Sequence, residues 1–208
     1  MSSSVPLTAT TFAEALDRLV RDDPDLAAIR ERYGTPPFRV RPPGFATLVQ
    51  IILEQQVSLA SARSTFDKLV QWLPALTPNH FLEMATPTLC RTGLSRQKQE
   101  YCRGLAKSIV TGAIDLDALS DSDDATIRAR LCALKGVGAW TADVYLLLAL
   151  RRPDVWPCHD LALIRAVQQV KRLKTEPGLE RMQRLAEPWR PRRAVAARLL
   201  WHHYLSAL

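Results

Sequence analysis

Two short stretches carry residues that could do chemistry. In WPCHDLALIRAV, Asp160 follows Pro157 and precedes an apolar helical pattern, and upstream of it LKGVG (Leu134–Gly138) sets two glycines two positions apart. An aspartate at that point is a natural helix N-cap. A carboxylate held at a helix start can also face a reacting centre and stabilise positive charge that develops there. The two roles are compatible. Gly136 and Gly138 allow a sharp backbone turn and leave amide N–H groups uncovered at the start of the next helix, an end that attracts phosphate. The same pair also suits an ordinary tight connection between antiparallel helices.

The elements that must position these residues are all helical. Apolar residues recur at helical spacing along the chain, and no alternating β-branched run is long enough for a sheet. Thr11 and Glu14 predict a capping box before a helix burying Phe12, Leu16, Leu19 and Val20. The Pro-rich TPPFRVRPPG then separates this first helical piece from helices over Phe45–Gln56 and Ser58–Trp72, and from short ones opened by Thr77-Pro78 and Thr86-Pro87. Gly93 ends the last of these, Ser95 caps a helix to about Val110, and Ser122 caps another through Ala133. After the Leu134–Gly138 turn come helices over Ala139–Leu150, Asp160–Lys171, Leu179–Glu187 and Pro191–Leu208. No internal repeat breaks this series.

At 208 residues and 47% hydrophobic, the chain can bury a sizeable core. Its 28 Lys+Arg against 21 Asp+Glu give +7 and favour a polyanionic partner. Cys90, Cys102, Cys132 and Cys158 are widely spaced, so reduced thiols are expected. Cys158 and His159 lack the second ligand pair that a metal site needs. MSSSVPLTATTF has neither a basic start nor an apolar leader core, and the longest apolar run, Val144–Leu150, cannot cross a bilayer. A soluble intracellular protein is expected, cytoplasmic and nucleoid-associated in a bacterial cell, with no membrane partner.

LKGVGAWTADV with the later aspartate of WPCHDLAL resembles the helix-hairpin-helix DNA glycosylases. ILEQQVSLASA (Ile52–Ala62) and TGLSRQKQEYCRGLA (Thr92–Ala106) sharpen the resemblance to the alkylbase branch, of the 3-methyladenine DNA glycosylase II type. Matched order runs from about Phe45 to the C-terminus. Too few residues precede Phe45 for the β-rich N-terminal domain of that type, so the chain resembles the compact form.

The resemblance implies an all-α fold of two helical lobes with a cleft between them. One lobe is 1–44 with 151–208; the other is 45–150 and carries the helix-hairpin-helix at about 125–150. It implies a monomer acting on double-stranded DNA that contains alkylated bases. Leu134, Lys135, Gly136, Val137, Gly138 and Thr141 would contact the DNA, together with Leu94, Ser95 and Arg96. Leu94 and Arg96 both remain candidates for the residue that fills the gap in the duplex.

The target base would be flipped into a pocket of Trp140, Trp201, Gln56 and Val144, with Asp160 as the catalytic carboxylate. Trp201, in ARLLWHHYL, is equally readable as a core residue. The family's pocket tyrosine falls on Val144, and Tyr145 comes one position late. Members that also cut the strand place a Schiff-base lysine where this chain has Trp140, so base hydrolysis without lyase activity is implied. No cofactor is required. A monovalent cation, Na+ or K+, on the backbone of Leu134 and Val137 is a family trait that LKGVG accommodates. An iron–sulfur cluster is not expected, because the closely spaced C-terminal cysteines that ligate one are absent. The rival reading is a non-catalytic helix-hairpin-helix clamp, which would not need Asp160 with Trp140.

Overall fold

The computed structural model describes residues 5–73 and 75–207. Helix α1 (Ala9–Asp22) starts about one turn before the Thr11–Glu14 pairing would have it. Thr8 and Thr11 cap each other instead: the Thr8 hydroxyl accepts the Thr11 N–H at 3.1 Å and the Thr11 hydroxyl accepts the Thr8 N–H at 2.9 Å. Phe12, Leu16 and Leu19 are buried as the periodicity requires, whereas Val20 is only half-buried. The chain breaks at Asp23, which caps α2 (Pro24–Tyr33) by accepting the Asp25 and Leu26 N–H groups, while Pro24 supplies a preset φ.

Beyond the Pro-rich link lie α3 (Phe45–Glu54), α4 (Leu59–Gln71, capped by Ser58), α5 (Pro78–Glu83, capped by Thr77) and α6 (Thr86–Arg91). Ala85 occupies the cap of α6, so Thr86 is already helical. Next are α7 (Arg96–Val110, capped by Ser95), the short α8 (Leu116–Ser120) and α9 (Asp124–Cys132). Asp123 and not Ser122 caps α9, because its Oδ1 accepts both the Ala125 and Thr126 N–H groups at 3.0 Å. Then follow α10 (Ala139–Leu148), α11 (Leu161–Val170), α12 (Leu179–Ala186), one 3-10 turn at Glu187–Trp189, and α13 (Arg193–Ser206). Leu208, the expected end of the last helix, lies outside the described residues. Among the described residues there is no strand, and no helix is long and apolar enough to cross a membrane.

The chain divides into two units, Met1–Val40 with Leu146–Leu208, and Arg41–Tyr145. In the first, α13 packs on α1, α2 and α11 through a face buried continuously from Ala194 to Leu200. Arg198 sits inside this face, only 5% exposed, and its Nη2 donates to the Leu147 carbonyl at 2.9 Å. Its Nη1 donates to the Arg39 carbonyl, and its guanidinium lies 5.2 Å from the Phe38 ring centroid. Burial pushes this guanidinium down to about 10. Most of the excess positive charge falls in this unit; in the second, acids and bases nearly balance.

The second unit is built on α3, whose Leu48, Val49, Ile51 and Ile52 are fully buried against neighbours that include α4 and α7. Cys102, on the buried side of α7, has its thiol pushed up to about 12 by desolvation, which outweighs the nearby Lys98 ammonium. Iodoacetamide should therefore alkylate the exposed Cys90 and Cys132 in native protein and reach Cys102 only after denaturant is added. Peptide mass spectrometry reads this directly, and labelling of Cys102 at the rate of Cys90 would contradict the packing.

Candidate functional site

In the second unit, α9 and α10 are joined through the Leu134–Gly138 turn, where the Leu134 carbonyl accepts the Val137 N–H at 3.1 Å. Arg128 on α9 braces the pair: its Nε and Nη2 donate to Asp143 Oδ1 on α10 at 2.8 and 2.6 Å, and Asp143 is 4% exposed. A buried carboxylate stripped of its cation is costly, so this pair keeps the two helices together.

The two glycines of the turn differ in what requires them. Gly136 has φ +87°, and a Cβ there would fall 2.1 Å from Cγ of Tyr101, whose ring lies flush against the turn. Only glycine fits. Gly138 has no strained φ, and a Cβ would meet no protein atom within 4 Å. Its carbonyl accepts the Ala142 N–H at 3.0 Å and so opens α10, whose first N–H groups have no acceptor within their own helix.

Gln55 fixes the turn from outside. Its Nε2 donates to the Gly136 carbonyl and to Thr141 Oγ1, each at 2.9 Å. Lys98 in turn fixes Gln55, since its Nζ donates to the Leu53 and Gln55 carbonyls at 2.7 and 2.8 Å. Those carbonyls end α3, where a cation is favoured by the helix dipole. Burial lowers the Lys98 pKa. Gln55 and Lys98 lie inside the ILEQQVSLASA and TGLSRQKQEYCRGLA segments, but neither segment singles them out as site residues.

Lys135 is exposed and pairs with Glu100 of α7 at 3.2 Å, a solvated contact of small energy. Val137 is buried, 4% exposed, and Thr141 is buried with its hydroxyl turned to Gln55. Leu94 is also buried, its carbonyl accepting Gln99 Nε2 at 2.9 Å, whereas Ser95 and Arg96 are exposed at the start of α7. Gln56 is exposed on the turn between α3 and α4 with φ +57°, uncommon for a residue with a Cβ. It lines a cavity of about 240 Å³ together with Gln55, Ser95, Gln97 and Lys98. The hairpin, Gln56 and the start of α7 are thus brought together within one unit. Trp140 is half-exposed on the first turn of α10. Val144 is buried, and Tyr145 points its hydroxyl away to accept the Gly44 N–H at 2.9 Å.

In the first unit, Asp160 caps α11. Val155, Trp156 and Pro157 before it are buried, Trp156 Nε1 donates to the Met182 carbonyl at 3.1 Å, and the Asp160 N–H returns to the Pro157 carbonyl at 3.0 Å. The backbone at Asp160 is therefore fixed by burial and a tight turn. Its Oδ1 accepts the Leu163 N–H at 2.7 Å and the Trp201 indole N–H at 2.9 Å. Trp201 is half-buried on α13, so it is neither wholly a core residue nor a free wall.

Over residues 49–191 the chain matches the HhH-GPD superfamily of base excision DNA repair proteins, and it belongs to that family. It is 30% identical over 147 residues to DNA-3-methyladenine glycosylase of Saccharomyces cerevisiae, covering 66% of this chain and 49% of that protein. It is 26% identical over 169 residues to DNA-3-methyladenine glycosylase of Bacillus subtilis, covering 76% and 56%. The chain thus spans less than two thirds of the length of these relatives. Among solved structures, 3-methyladenine DNA glycosylase of Schizosaccharomyces pombe in complex with abasic DNA shares the fold, with TM-score 0.84, 22% identity, and coverage of 90% of this chain and 95% of that one. DNA-3-methyladenine glycosidase of Bacillus halodurans is similar at TM-score 0.75 and 26% identity, with 91% and 87% covered.

Proposed function

We propose that this protein is a monofunctional DNA glycosylase that hydrolyses the N-glycosidic bond of alkylated bases, of the 3-methyladenine and 7-methylguanine type, in double-stranded DNA. The observation that carries the reading is a carboxylate, Asp160, held by donors from two helices in a chain whose relatives are named DNA-3-methyladenine glycosylases. As the bond from C1′ to the base nitrogen breaks, the electron pair leaves with the base and the sugar becomes oxocarbenium-like. The Asp160 carboxylate stabilises that cation and orients the water that adds to C1′ and releases its proton to solvent. An alkylated purine is already cationic and departs neutral, which leaves recognition as the harder task. The Trp140 indole suits it, because a cationic ring gains attraction over an aromatic face.

The hairpin serves as the phosphate anchor through amides near Gly136 and Gly138, with Lys135 exchanging Glu100 for phosphate. Arg96, being exposed, is assigned as the wedge in preference to the buried Leu94. The exposed Gln56 is assigned with Ser95 to the DNA face, while Val144 and Thr141 act from inside the unit. A monovalent cation would sit on the Leu134 and Val137 carbonyls and add positive charge beside the anchored phosphate. A carbonyl has two lone pairs, so Leu134 can accept the Val137 N–H and still coordinate. The protein acts as a monomer in this scheme.

Trp140 occupies the position of a Schiff-base amine, and an indole nitrogen does not attack C1′. Alkylated duplex treated with the protein should therefore remain unbroken until hot alkali cleaves the abasic sites, and borohydride should trap no adduct. A trapped protein–DNA adduct would contradict the monofunctional assignment.

A further inference from the structure

We infer that Trp201 is a positioning residue for Asp160, its indole N–H setting the torsion of the carboxylate that faces the sugar. This rests on the glycosylase reading above. A carboxylate turns readily about its terminal bond, because sp³–sp² torsions have broad wells. An N-cap carboxylate can be held by its own helix alone, as Asp115 and Asp123 are at α8 and α9, or braced from elsewhere in the fold, as Asp23 is at α2 by Lys171 and the Trp189 indole. At Asp160 the cap bond from Leu163 is joined on the same oxygen by the N–H of Trp201, which arrives from α13. Two donors converging on Oδ1 from different helices fix the plane of the group, and hence the direction of its second oxygen.

The donor is itself held firmly. One turn before Trp201, Arg198 is anchored to the Leu147 and Arg39 carbonyls. Directly after it, His202 Nε2 lies 2.9 Å from the Tyr33 carbonyl and His203 Nε2 lies 3.2 Å from Gln169 Oε1 on α11, the helix that Asp160 caps. α13 therefore cannot turn to follow a rotated carboxylate. The indole N–H is preorganised, which is the condition under which a hydrogen bond to a charged group aids a reaction.

The test removes the N–H and keeps the ring. Trp201 is replaced, at an amber codon, by β-(3-benzothienyl)alanine, which carries sulfur in place of N–H, and by 7-azatryptophan, which retains the N–H. Single-turnover base release and lesion-duplex affinity are measured for both, and for Trp201→Phe. The benzothienyl variant and Trp201→Phe should lose about tenfold or more in rate, as expected for one hydrogen bond to a charged group. Affinity should stay unchanged, and azatryptophan should restore the rate. In an Asp160→Asn background the benzothienyl replacement should have no further effect. Parental rate in the benzothienyl protein, or unchanged rate with weakened lesion binding, would overturn the inference and leave Trp201 a stacking surface. If Asp160→Asn alone released bases at the parental rate, the glycosylase reading itself would fail, a result distinguishable from the first.

Discussion

Asp160→Asn should reduce base release by roughly 10²–10³-fold, the scale on which removing one electrostatic stabiliser of a transition state acts. The substitution deletes the charge and keeps the size of the side chain. The asparagine oxygen can still accept the Leu163 and Trp201 N–H groups that Oδ1 accepts now, and asparagine caps helices as well as aspartate does. The thermal midpoint should therefore hardly move. DNA affinity should hold or rise, because removing a negative charge lowers the repulsion of a polyanionic duplex. Single-turnover kinetics on alkylated duplex together with equilibrium binding separate these effects. Parental rate, or a parallel loss of rate and stability, would contradict the role assigned to the carboxylate.

The second large effect separates the two hairpin glycines. Gly136→Ala places a Cβ 2.1 Å from Tyr101 Cγ at a backbone φ of +87°, so steric overlap and strain add. A loss of roughly 3 kcal/mol in unfolding free energy is expected, read from the urea midpoint. Truncating the ring in Gly136→Ala/Tyr101→Ala should recover the steric part and leave the strain. Gly138→Ala should be stable, since nothing lies within 4 Å of the added Cβ. It should nonetheless weaken binding to all duplexes severalfold, because the methyl stands where a phosphate would approach the helix amides. Equal destabilisation by the two changes, or full duplex affinity in Gly138→Ala, would contradict the hairpin as anchor.

Local signals were legible in the sequence. The apolar period gave most of the helical elements but not the short α8, and Thr77, Ser95 and Asp160 cap the helices they were expected to cap. Where two polar residues adjoin, spacing could not choose between them: Asp123 outcompetes Ser122, and Thr8 with Thr11 outcompetes Thr11 with Glu14. The reading of one helical piece before the Pro-rich link misses the break at Asp23-Pro24, where Asp23 caps a second helix. Of the hairpin, the motif marked the turn and not its supports. Gln55 reaches a backbone carbonyl far along the chain, and Tyr101 presses on a glycine that has no side chain to pair with, so neither contact leaves a pattern in sequence. Leu94 is buried and Arg96 exposed, a difference that a two-residue offset at a helix start does not encode.

The most direct measurement of the central claim is chromatography of what the protein releases. Duplex DNA methylated in vitro is incubated with the protein, the polymer is precipitated, and the soluble fraction is resolved against standards of 3-methyladenine and 7-methylguanine. Free methylated bases should appear with time and enzyme, and the Asp160→Asn protein should yield almost none while still binding the DNA. DNA binding without any released base from the unaltered protein would contradict the glycosylase and make the hairpin a non-catalytic clamp.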